Sequence, residues 1–467
     1  MILRVWNTAL FWTWILNALR LASSILVLPL LLRALSEADL SMYWQFVFLA
    51  GFGYSLDAMF STTILRHVSY AMRGVSDIQS LGLAENTAVA EKPNYVLLGQ
   101  LFSATKLLYR LICLVILALQ GIGGTLLIHH LATQTSNPTI TWTAWTITVV
   151  GSCLELYTGY WLVFLRGMNQ IVLSTRLVSL MYAAKLVISI ILLLCHLGLL
   201  AVPIATLVIG IAQRLIARRF IKHAIPEEFR KDSSRNRDLV ARIWPTSWRM
   251  GIVGLSFNLM MVAFGAIITA SFGKDGAALA YRYQFSQQIM MNICIGMSAV
   301  WTTVKWPLVM QLRVANDLPT LRSTLWPRVW LQNATLLALC ALAISIGPPI
   351  LHIIAPAKHI LPRFWLTLLA VQALFDMQYT FWTTLLTSEN RIPSTWAAMI
   401  TNVSSIVVAY ALVKTTDLGL GAFVVAPLVC GLAFNYWYWA KVGARAIGTN
   451  WFGYMFHKPR PQSTTAS

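Results

Sequence analysis

The stretch RLIARRFIKHAIPEEFRKDSSRNRDLVARIWPTSWR, residues 214–249, is the longest polar segment between the hydrophobic runs of this sequence. Ten of its residues are Lys or Arg. On each side lie roughly 200 residues dominated by apolar runs of about 20, the length that crosses about 30 Å of hydrocarbon as an α-helix. The pattern predicts two membrane-embedded halves joined by one basic connection.

The composition excludes a soluble globular protein. Of the 467 residues 58% are hydrophobic and only 11% are charged, and the mean hydropathy is +0.67, which leaves too little polar surface for a soluble globule of this size. The six cysteines lie within or at the edge of apolar runs without paired or metal-ligand spacing, so they are predicted to be reduced core residues.

The apolar runs predict an all-α polytopic membrane protein with about twelve transmembrane helices, arranged as two six-helix halves around a central cavity. The predicted spans are 8–32, 42–66, 107–129, 140–165, 177–197, 199–217, 247–271, 278–305, 329–353, 363–387, 395–413 and 418–440. The domains are then 1–217 for the N-terminal half, 218–246 for the basic connection, 247–441 for the C-terminal half and 442–467 for a tail.

The distribution of the 35 lysines and arginines sets the orientation. With the N-terminus inside, the large majority fall on the cytoplasmic side, so the positive-inside rule places both termini in the cytoplasm. The net charge of +19 is thereby explained without a nucleic-acid partner. The first apolar run has no small-residue cleavage site and is expected to be a retained helix. Interfacial amphipathic helices are expected near 95–106 and within 306–328.

Among the ionisable residues of the predicted spans, five lie near the membrane centre, roughly 12 to 18 Å from the cytoplasmic helix ends when each residue rises 1.5 Å. They are Arg20, Asp57, Glu155, Lys185 and Asp376. A charge near the bilayer centre costs roughly 2.5 to 3.5 kcal/mol, so such residues usually face a bundle interior or a wet cavity. One interpretation is structural: Arg20 pairs with Asp57, and Glu155 with Lys185. The other is functional, with the cations binding an anionic head group and the carboxylates taking up protons or cations.

Polar side chains at helical spacing accompany these charges and predict one shared hydrophilic cavity. The stripes are Thr13, Asn17, Arg20 and Ser24; Tyr182, Lys185 and Ser189; Tyr281, Gln284, Gln288 and Asn292; and Gln372, Asp376, Tyr379 and Thr383. An internal repeat supports the two halves, because residues 160–171 align with 381–392 at a constant offset of about 221. The same offset places Glu155 in register with Asp376.

The sequence contains no motif of a nucleotide-binding, metal-binding or catalytic site. The sequence has no phosphate-binding loop, no His-Glu-x-x-His and no metal-ligand cluster, so we predict no cofactor, no metal and no enzymatic activity.

Residues 28–74 resemble the opening of the polysaccharide-export flippases, the O-antigen and exopolysaccharide translocases of the multidrug, oligosaccharidyl-lipid and polysaccharide exporter superfamily. The residues that carry the resemblance are Leu28–Ser36, Leu40–Tyr43, Leu56–Phe60, Arg66 and Gly74. Met42 and Met59 stand where this family usually has glycine.

The resemblance implies a multi-pass protein of the bacterial inner membrane that moves polyprenyl-diphosphate-linked oligosaccharide repeat units to the outer leaflet by ion-coupled alternating access. Membrane lipids, and a polysaccharide polymerase and ligase, are the implied partners. Arg20 and Lys185, with Asn17, are the candidates for the diphosphate, and Asp57, Glu155 and Asp376 for ion coupling. The candidates for the sugar path are Gln284, Gln288, Asn292, Gln372 and Tyr379.

Two alternatives remain open at this stage. A cation-coupled multidrug exporter of the same superfamily would share the fold and the cavity carboxylates. A membrane glycosyltransferase, such as a polysaccharide polymerase or ligase, would normally need a larger outer loop than any in this sequence.

Overall fold

A computed structural model of the chain describes residues 9–72, 93–224, 236–302, 305–314, 317–387 and 393–456. Within those ranges every regular element is a helix. The helices are α1 Ala9–Ala34, α2 Glu37–Met72, α3 Tyr95–Ala118, α4 Thr125–Ala132, α5 Pro138–Gly167, α6 Ile171–Leu194, α7 Ala201–Ala224, α8 Asn236–Ser271, α9 Gly276–Trp301, α10 Trp306–Val314, α11 Leu318–Ile354, α12 Arg363–Thr387, α13 Thr395–Thr415, α14 Gly421–Cys430, α15 Tyr436–Ala446 and α16 Trp451–Phe456.

The all-α polytopic membrane fold is confirmed. Each of the twelve predicted spans coincides with a helix, counting α3 with α4 and α14 with α15 as continuous through the π-helical turns Leu119–Gly124 and Gly431–Asn435. Among the described residues, nine helices are both long and apolar enough to cross a membrane. The other three predicted spans are α1, α9 and α12, of 25 or 26 residues, and these carry three of the four polar stripes.

The helix starts follow from local sequence. Asn94 begins α3 by accepting a hydrogen bond from the N–H of Leu97, and Asn137 begins α5 in the same way, followed by Pro138 at the first helical position. Asp317 caps α11, and hydrogen bonds from the Thr320 hydroxyl and backbone N–H lower the pKa of its carboxyl. Each cap satisfies N–H groups that the first turn of a helix leaves without a partner.

A helix is present at 95–106, and it continues without a break from Tyr95 to Ala118; its interfacial position stays a prediction. No Pro or Gly pair interrupts that segment, so the interfacial turns and the span form one element. In the second half the corresponding segment does contain a separate helix, α10, of nine residues. All six cysteines are free thiols.

The chain forms two compact units, Met1–Val262 and Ala263–Ser467, and the boundary falls inside α8. The basic connection and the tail of the predicted division lie partly outside the described residues, so that division stays a prediction. In the first unit α5 packs against α2 and α7, and α1 against α6. Its core is formed by side chains of α2, α3, α5 and α8, among them Phe60, Tyr109, Phe164 and Ile243.

The second unit has its own core. Side chains of α10, α11, α12, α15 and α16 pack together there, including Val309, Leu325, Trp382, Ala444 and Tyr454. Large apolar side chains cover the outside of both units, with Ile122 65% exposed and Ile353 76% exposed. A soluble surface would not expose such residues in long helical runs, whereas hydrocarbon solvates them.

Glycines allow α5 and α7 to approach closely. A Cβ at Gly151 would lie 3.5 Å from the backbone nitrogen of Leu207, and one at Gly210 would lie 3.4 Å from Cβ of Leu154. Small residues at a membrane helix interface permit such backbone contact and the dispersion attraction that goes with it. This packing fixes the height of Glu155, the residue after Leu154, within the first unit.

Candidate functional site

Two adjoining cavities lie inside the first unit, with volumes of about 450 Å³ and 330 Å³. Their walls come from α2, α5, α6 and α7, and α1 contributes to the smaller one. The polar residues that line both are Tyr54, Ser152, Glu155, Tyr182 and Lys185. Two of the charged residues predicted from the sequence therefore stand in the wall common to both spaces.

Glu155 and Lys185 form an ion pair between neighbouring helices. The Nζ atom of Lys185 lies 3.9 Å from Oε2 of Glu155, and the hydroxyl of Tyr54 donates to the same oxygen at 2.9 Å. The side chains of Lys185 and Glu155 are 26% and 31% exposed. The pair anticipated from the sequence is thus present. Its separation exceeds a close N–H···O contact, so the ammonium keeps donors for another acceptor.

Asp57 lines the larger cavity one turn after Tyr54 on α2. Its Oδ1 accepts a hydrogen bond of 2.6 Å from the hydroxyl of Tyr109 on α3. A Cβ at Gly159 of α5 would lie 3.0 Å from that same oxygen, so glycine makes room for the carboxyl group. The structure therefore brings Asp57, Glu155 and Lys185 to one cavity.

Arg20 and Asn17 lie on α1, and their side chains fall outside the part of the chain that the structure describes. The predicted pairing of Arg20 with Asp57 therefore stays a prediction. Helix α1 contributes Ser23 and Val27 to the wall of the smaller cavity. The helix that carries Asn17 and Arg20 therefore forms part of that wall.

Asp376 occupies a different environment in the second unit. Its Oδ1 accepts from the hydroxyl of Tyr436 at 2.7 Å, and its Oδ2 accepts from the amide of Gln372 at 3.4 Å. The ring of Tyr436 stacks on Phe375 with centroids 5.1 Å apart. Tyr436 is the first residue after the π-helical turn Gly431–Asn435, a distortion often found at functional positions.

The remaining polar candidates of the second unit show no common arrangement. Gln284 is 1% exposed, and neither atom of its amide has a hydrogen-bond partner among the described residues. Gln288 donates to Asn292 at 3.0 Å, and Asn292 is exposed. Tyr379 is half-buried on the helix that carries Gln372. None of these five residues lines the two cavities of the first unit.

Sequence reasoning missed the tyrosines that bind the carboxylates. Tyr54 had a signal only through Asp57, three residues later on the same helix face, although the carboxylate that it contacts is Glu155 on α5. Tyr109 and Tyr436 had none, since each belongs to a different helix from the carboxylate that it contacts. Within the described ranges, no group of three or more His, Cys, Asp and Glu side chains is placed to hold a metal ion.

Comparisons with known proteins bear on the fold. No protein-family profile and no curated protein matches the sequence. Among solved structures, the outward-facing conformation of a multidrug resistance MATE family transporter of the MOP superfamily is similar with a TM-score of 0.62 and 13% identity, covering 95% of this chain and 96% of that one. The inward-facing conformation of such a transporter is similar with a TM-score of 0.58 and 12% identity, over 90% and 94% of the two chains.

A MOP superfamily transporter from Pyrococcus furiosus Vc1, described by the reverse polarity of its binding pocket, is similar with a TM-score of 0.62 and 13% identity. The similarity covers 96% of both chains. The chain therefore has the fold of the MOP superfamily transporters over nearly its whole length. At this level of identity the comparison establishes the fold, and function has to be argued from the site.

Proposed function

We propose that this protein is a membrane transporter that moves polyprenyl-diphosphate-linked oligosaccharide repeat units across the bacterial inner membrane, for the synthesis of a surface polysaccharide such as O-antigen, exopolysaccharide or capsule. The observation that carries the proposal is Lys185, an ammonium group in the wall of two cavities at membrane depth. The resemblance of residues 28–74 to polysaccharide-export flippases supports the choice of substrate.

The diphosphate is the part of this substrate whose transfer into the bilayer costs the most free energy, because its charges lose their hydration. Lys185, with Arg20 and Asn17 of α1, supplies the cationic and polar contacts that offset this loss. The 3.9 Å separation from Glu155 leaves ammonium donors for a phosphate oxygen. The lipid tail stays in the hydrocarbon, so only the head group needs a polar path.

We assign ion coupling to the three carboxylates at membrane depth, Asp57, Glu155 and Asp376. Binding of a proton or a cation to Glu155 removes the charge that holds Lys185 and makes the ammonium available to an anion. Release of the ion restores the pair and disfavours the bound substrate. This exchange links substrate binding to an ion gradient, as alternating access requires.

The sugar chain needs hydrogen-bonding groups and aromatic faces along its route. We place Gln284, Gln288, Asn292, Gln372 and Tyr379 on that route. The buried amide of Gln284, whose two polar atoms lack partners in the described part of the chain, is the clearest of them, since an unsatisfied buried amide is costly unless a ligand satisfies it. Beyond the membrane, the delivered unit passes to a polymerase and a ligase.

Export of cationic drugs is the second candidate function. Two carboxylates and one lysine line the larger cavity, most of whose other lining residues are apolar, a combination that suits an organic cation. The two MATE structures compared above are described as multidrug resistance transporters.

A genetic experiment separates these functions. Cells that lack the gene are complemented with the wild type, with Lys185→Met, or with Lys274→Met, an exposed lysine that lines neither cavity. We expect the null strain and Lys185→Met to lose surface polymer and to accumulate lipid-linked units facing the cytoplasm, while Lys274→Met behaves as the wild type. Units that reach the outer face unelongated would indicate a glycosyltransferase. Unchanged polysaccharide with increased drug sensitivity would indicate the drug exporter.

A further inference from the structure

A third cavity, of about 220 Å³, lies in the first unit and shares no lining residue with the two cavities described above. Three helices contribute to its wall: Phe102, Lys106 and Arg110 of α3, Tyr157, Tyr160 and Trp161 of α5, and Arg214 and Arg218 of α7. The wall therefore consists of four cations and four aromatic side chains.

The four cations form two pairs at i, i+4 spacing on neighbouring sides of the pocket, Lys106 with Arg110 and Arg214 with Arg218. Like charges at this spacing destabilise a helix, and four of them around one small space repel one another further. No aspartate or glutamate lines the pocket, and the ion pairs found among the described residues do not include these four cations. An anion in the pocket would relieve the repulsion.

The aromatic wall is built from packed rings. Trp161 stacks on Tyr160 with centroids 5.1 Å apart, and Phe102 meets Trp161 edge-on at 5.7 Å. The guanidinium of Arg214 lies 4.8 Å from the ring centroid of Tyr157, a cation–π contact that fixes this arginine beside the pocket. The buried indole N–H of Trp161 has no acceptor in the described part of the chain. The pocket is thus held in place and rich in donors.

The position of the pocket identifies the kind of anion. Lys106 and Arg110 stand where the predicted third span begins, and Arg214 and Arg218 stand where the predicted sixth span ends, on the side predicted to be cytoplasmic. This is the level of lipid head groups. Basic pockets between transmembrane helices on the cytoplasmic side suit the phosphates of anionic lipids, and arginine suits phosphate oxygens geometrically.

We propose that the pocket formed by Lys106, Arg110, Arg214 and Arg218 binds the phosphate group of a membrane lipid. This inference does not rest on the proposed transport function, because its residues are separate from the two transport cavities. The phosphate has two possible sources, an anionic phospholipid of the bilayer or a polyprenyl diphosphate that arrives at the protein, and both present the same chemistry to the four cations.

The test uses the full-length protein purified in nanodiscs of phosphatidylcholine, into which phosphatidylglycerol or polyprenyl diphosphate is titrated while bound lipid is counted by native mass spectrometry. The pocket variant is the double change Arg110→Gln and Arg214→Gln. The control is Arg219→Gln, an exposed arginine next to Arg218 that does not line the pocket. Arg214→Lys keeps the charge, and thermal unfolding in pure phosphatidylcholine verifies that each variant folds.

We expect the wild type and Arg219→Gln to retain one or both phosphate lipids over phosphatidylcholine, and the double variant to bind them at least about tenfold more weakly. Selective retention of phosphatidylglycerol identifies a bilayer phospholipid as the source of the phosphate. Selective retention of polyprenyl diphosphate identifies that lipid as the source instead. Equal binding of all three lipids by the wild type would overturn the proposal. An equal loss in Arg219→Gln and the double variant would also overturn it, since general surface charge would then explain binding.

Discussion

Glu155 and Asp376 occupy the same register of the internal repeat and have different surroundings. Glu155 on α5 faces two cavities, lies 3.9 Å from the ammonium of Lys185 and accepts from Tyr54. Asp376 on α12 accepts from Tyr436 and Gln372, which are neutral donors. One carboxylate therefore has a cation beside it, whereas the contacts of the other within the described part of the chain are hydrogen bonds from neutral groups.

A position that is repeated in the two halves therefore need not have the same role in both. A carboxylate paired with lysine is coupled to that lysine, because loss of either charge leaves the other without its partner until another ion replaces it. A carboxylate held by a phenol and an amide can be neutralised with both hydrogen-bond partners still in place. We therefore expect the first unit to respond most strongly to changes of charge, and the second to changes of packing and hydrogen bonding.

The largest effect is expected for Lys185→Met, which removes the cation that pairs with Glu155. Removing one partner of a buried ion pair costs about 3 to 5 kcal/mol. Because the two side chains are partly exposed, we expect a loss at the lower end of that range, about 3 kcal/mol in the free energy of unfolding. The double variant Lys185→Met with Glu155→Gln should recover most of that stability and remain inactive in transport. Thermal unfolding in detergent measures the first effect; a double variant as unstable as the single one would contradict the pairing.

Removal of a single hydroxyl compares Asp376 of the second unit with Asp57, the carboxylate next to Glu155 in the cavity of the first unit. Tyr436→Phe should lower the free energy of unfolding by about 2 kcal/mol, because a hydrogen bond to a charged group is lost among packed rings. Tyr109→Phe should cost about 1 kcal/mol, since Asp57 lines a cavity that can admit water as a substitute donor. Unfolding midpoints of the two variants provide the test, and the reverse order would refute the contrast.

Two glycines test the role of packing. A Cβ at Gly431 would overlap the ring of Tyr436, whereas a Cβ at Gly159 would lie 3.0 Å from Oδ1 of Asp57. Overpacking costs typically about 1 to 3 kcal/mol, so Gly431→Ala should destabilise the second unit by about 1.5 kcal/mol. Gly159→Ala should cost less, because the carboxyl group can shift toward the cavity. Equal destabilisation in a thermal melt would show that cavity access does not matter.

The smallest effect is expected for Arg242→Gln. Arg242 forms an i, i+4 ion pair with Asp238, at 3.2 Å, and these side chains are 32% and 48% exposed. Exposed pairs of this kind contribute roughly 0.3 to 0.5 kcal/mol, so the unfolding midpoint should hardly move. If Arg242→Gln lowered the free energy of unfolding as much as Lys185→Met does, the more buried environment of the Glu155–Lys185 pair would not explain its larger contribution.

Much of the fold follows from the sequence, because apolar runs of membrane-spanning length admit almost only helices. Each of the twelve predicted spans overlaps a described helix, and several helices extend beyond the apolar run, as α2 does from Glu37 to Met72. Hydropathy detects the hydrocarbon-facing part of a helix and not its polar ends. For the same reason the third span is predicted to begin at residue 107, whereas its helix begins at Tyr95.

The sequence predicts the site only where polar residues repeat along one helix or where a charged residue falls inside an apolar run. Glu155 and Lys185 were identified because charges at membrane depth are rare, and their pairing follows from opposite sign. The contacts of Tyr109 with Asp57 and of Tyr436 with Asp376 depend on how separate helices pack, which helical spacing does not encode. The π-helical turn before Tyr436 had no recognisable sequence signal either.

The decisive measurement is translocation of a lipid-linked oligosaccharide by the purified protein. Proteoliposomes that contain the wild type, Lys185→Met or Lys274→Met receive a fluorescent polyprenyl-diphosphate oligosaccharide, and a membrane-impermeant quencher reports how fast its head group changes leaflet. We predict that the wild type and Lys274→Met accelerate transfer above protein-free liposomes, that an imposed proton or sodium gradient increases the rate, and that Lys185→Met abolishes it. A wild-type rate equal to that of protein-free liposomes, or an undiminished rate in Lys185→Met, would contradict the account.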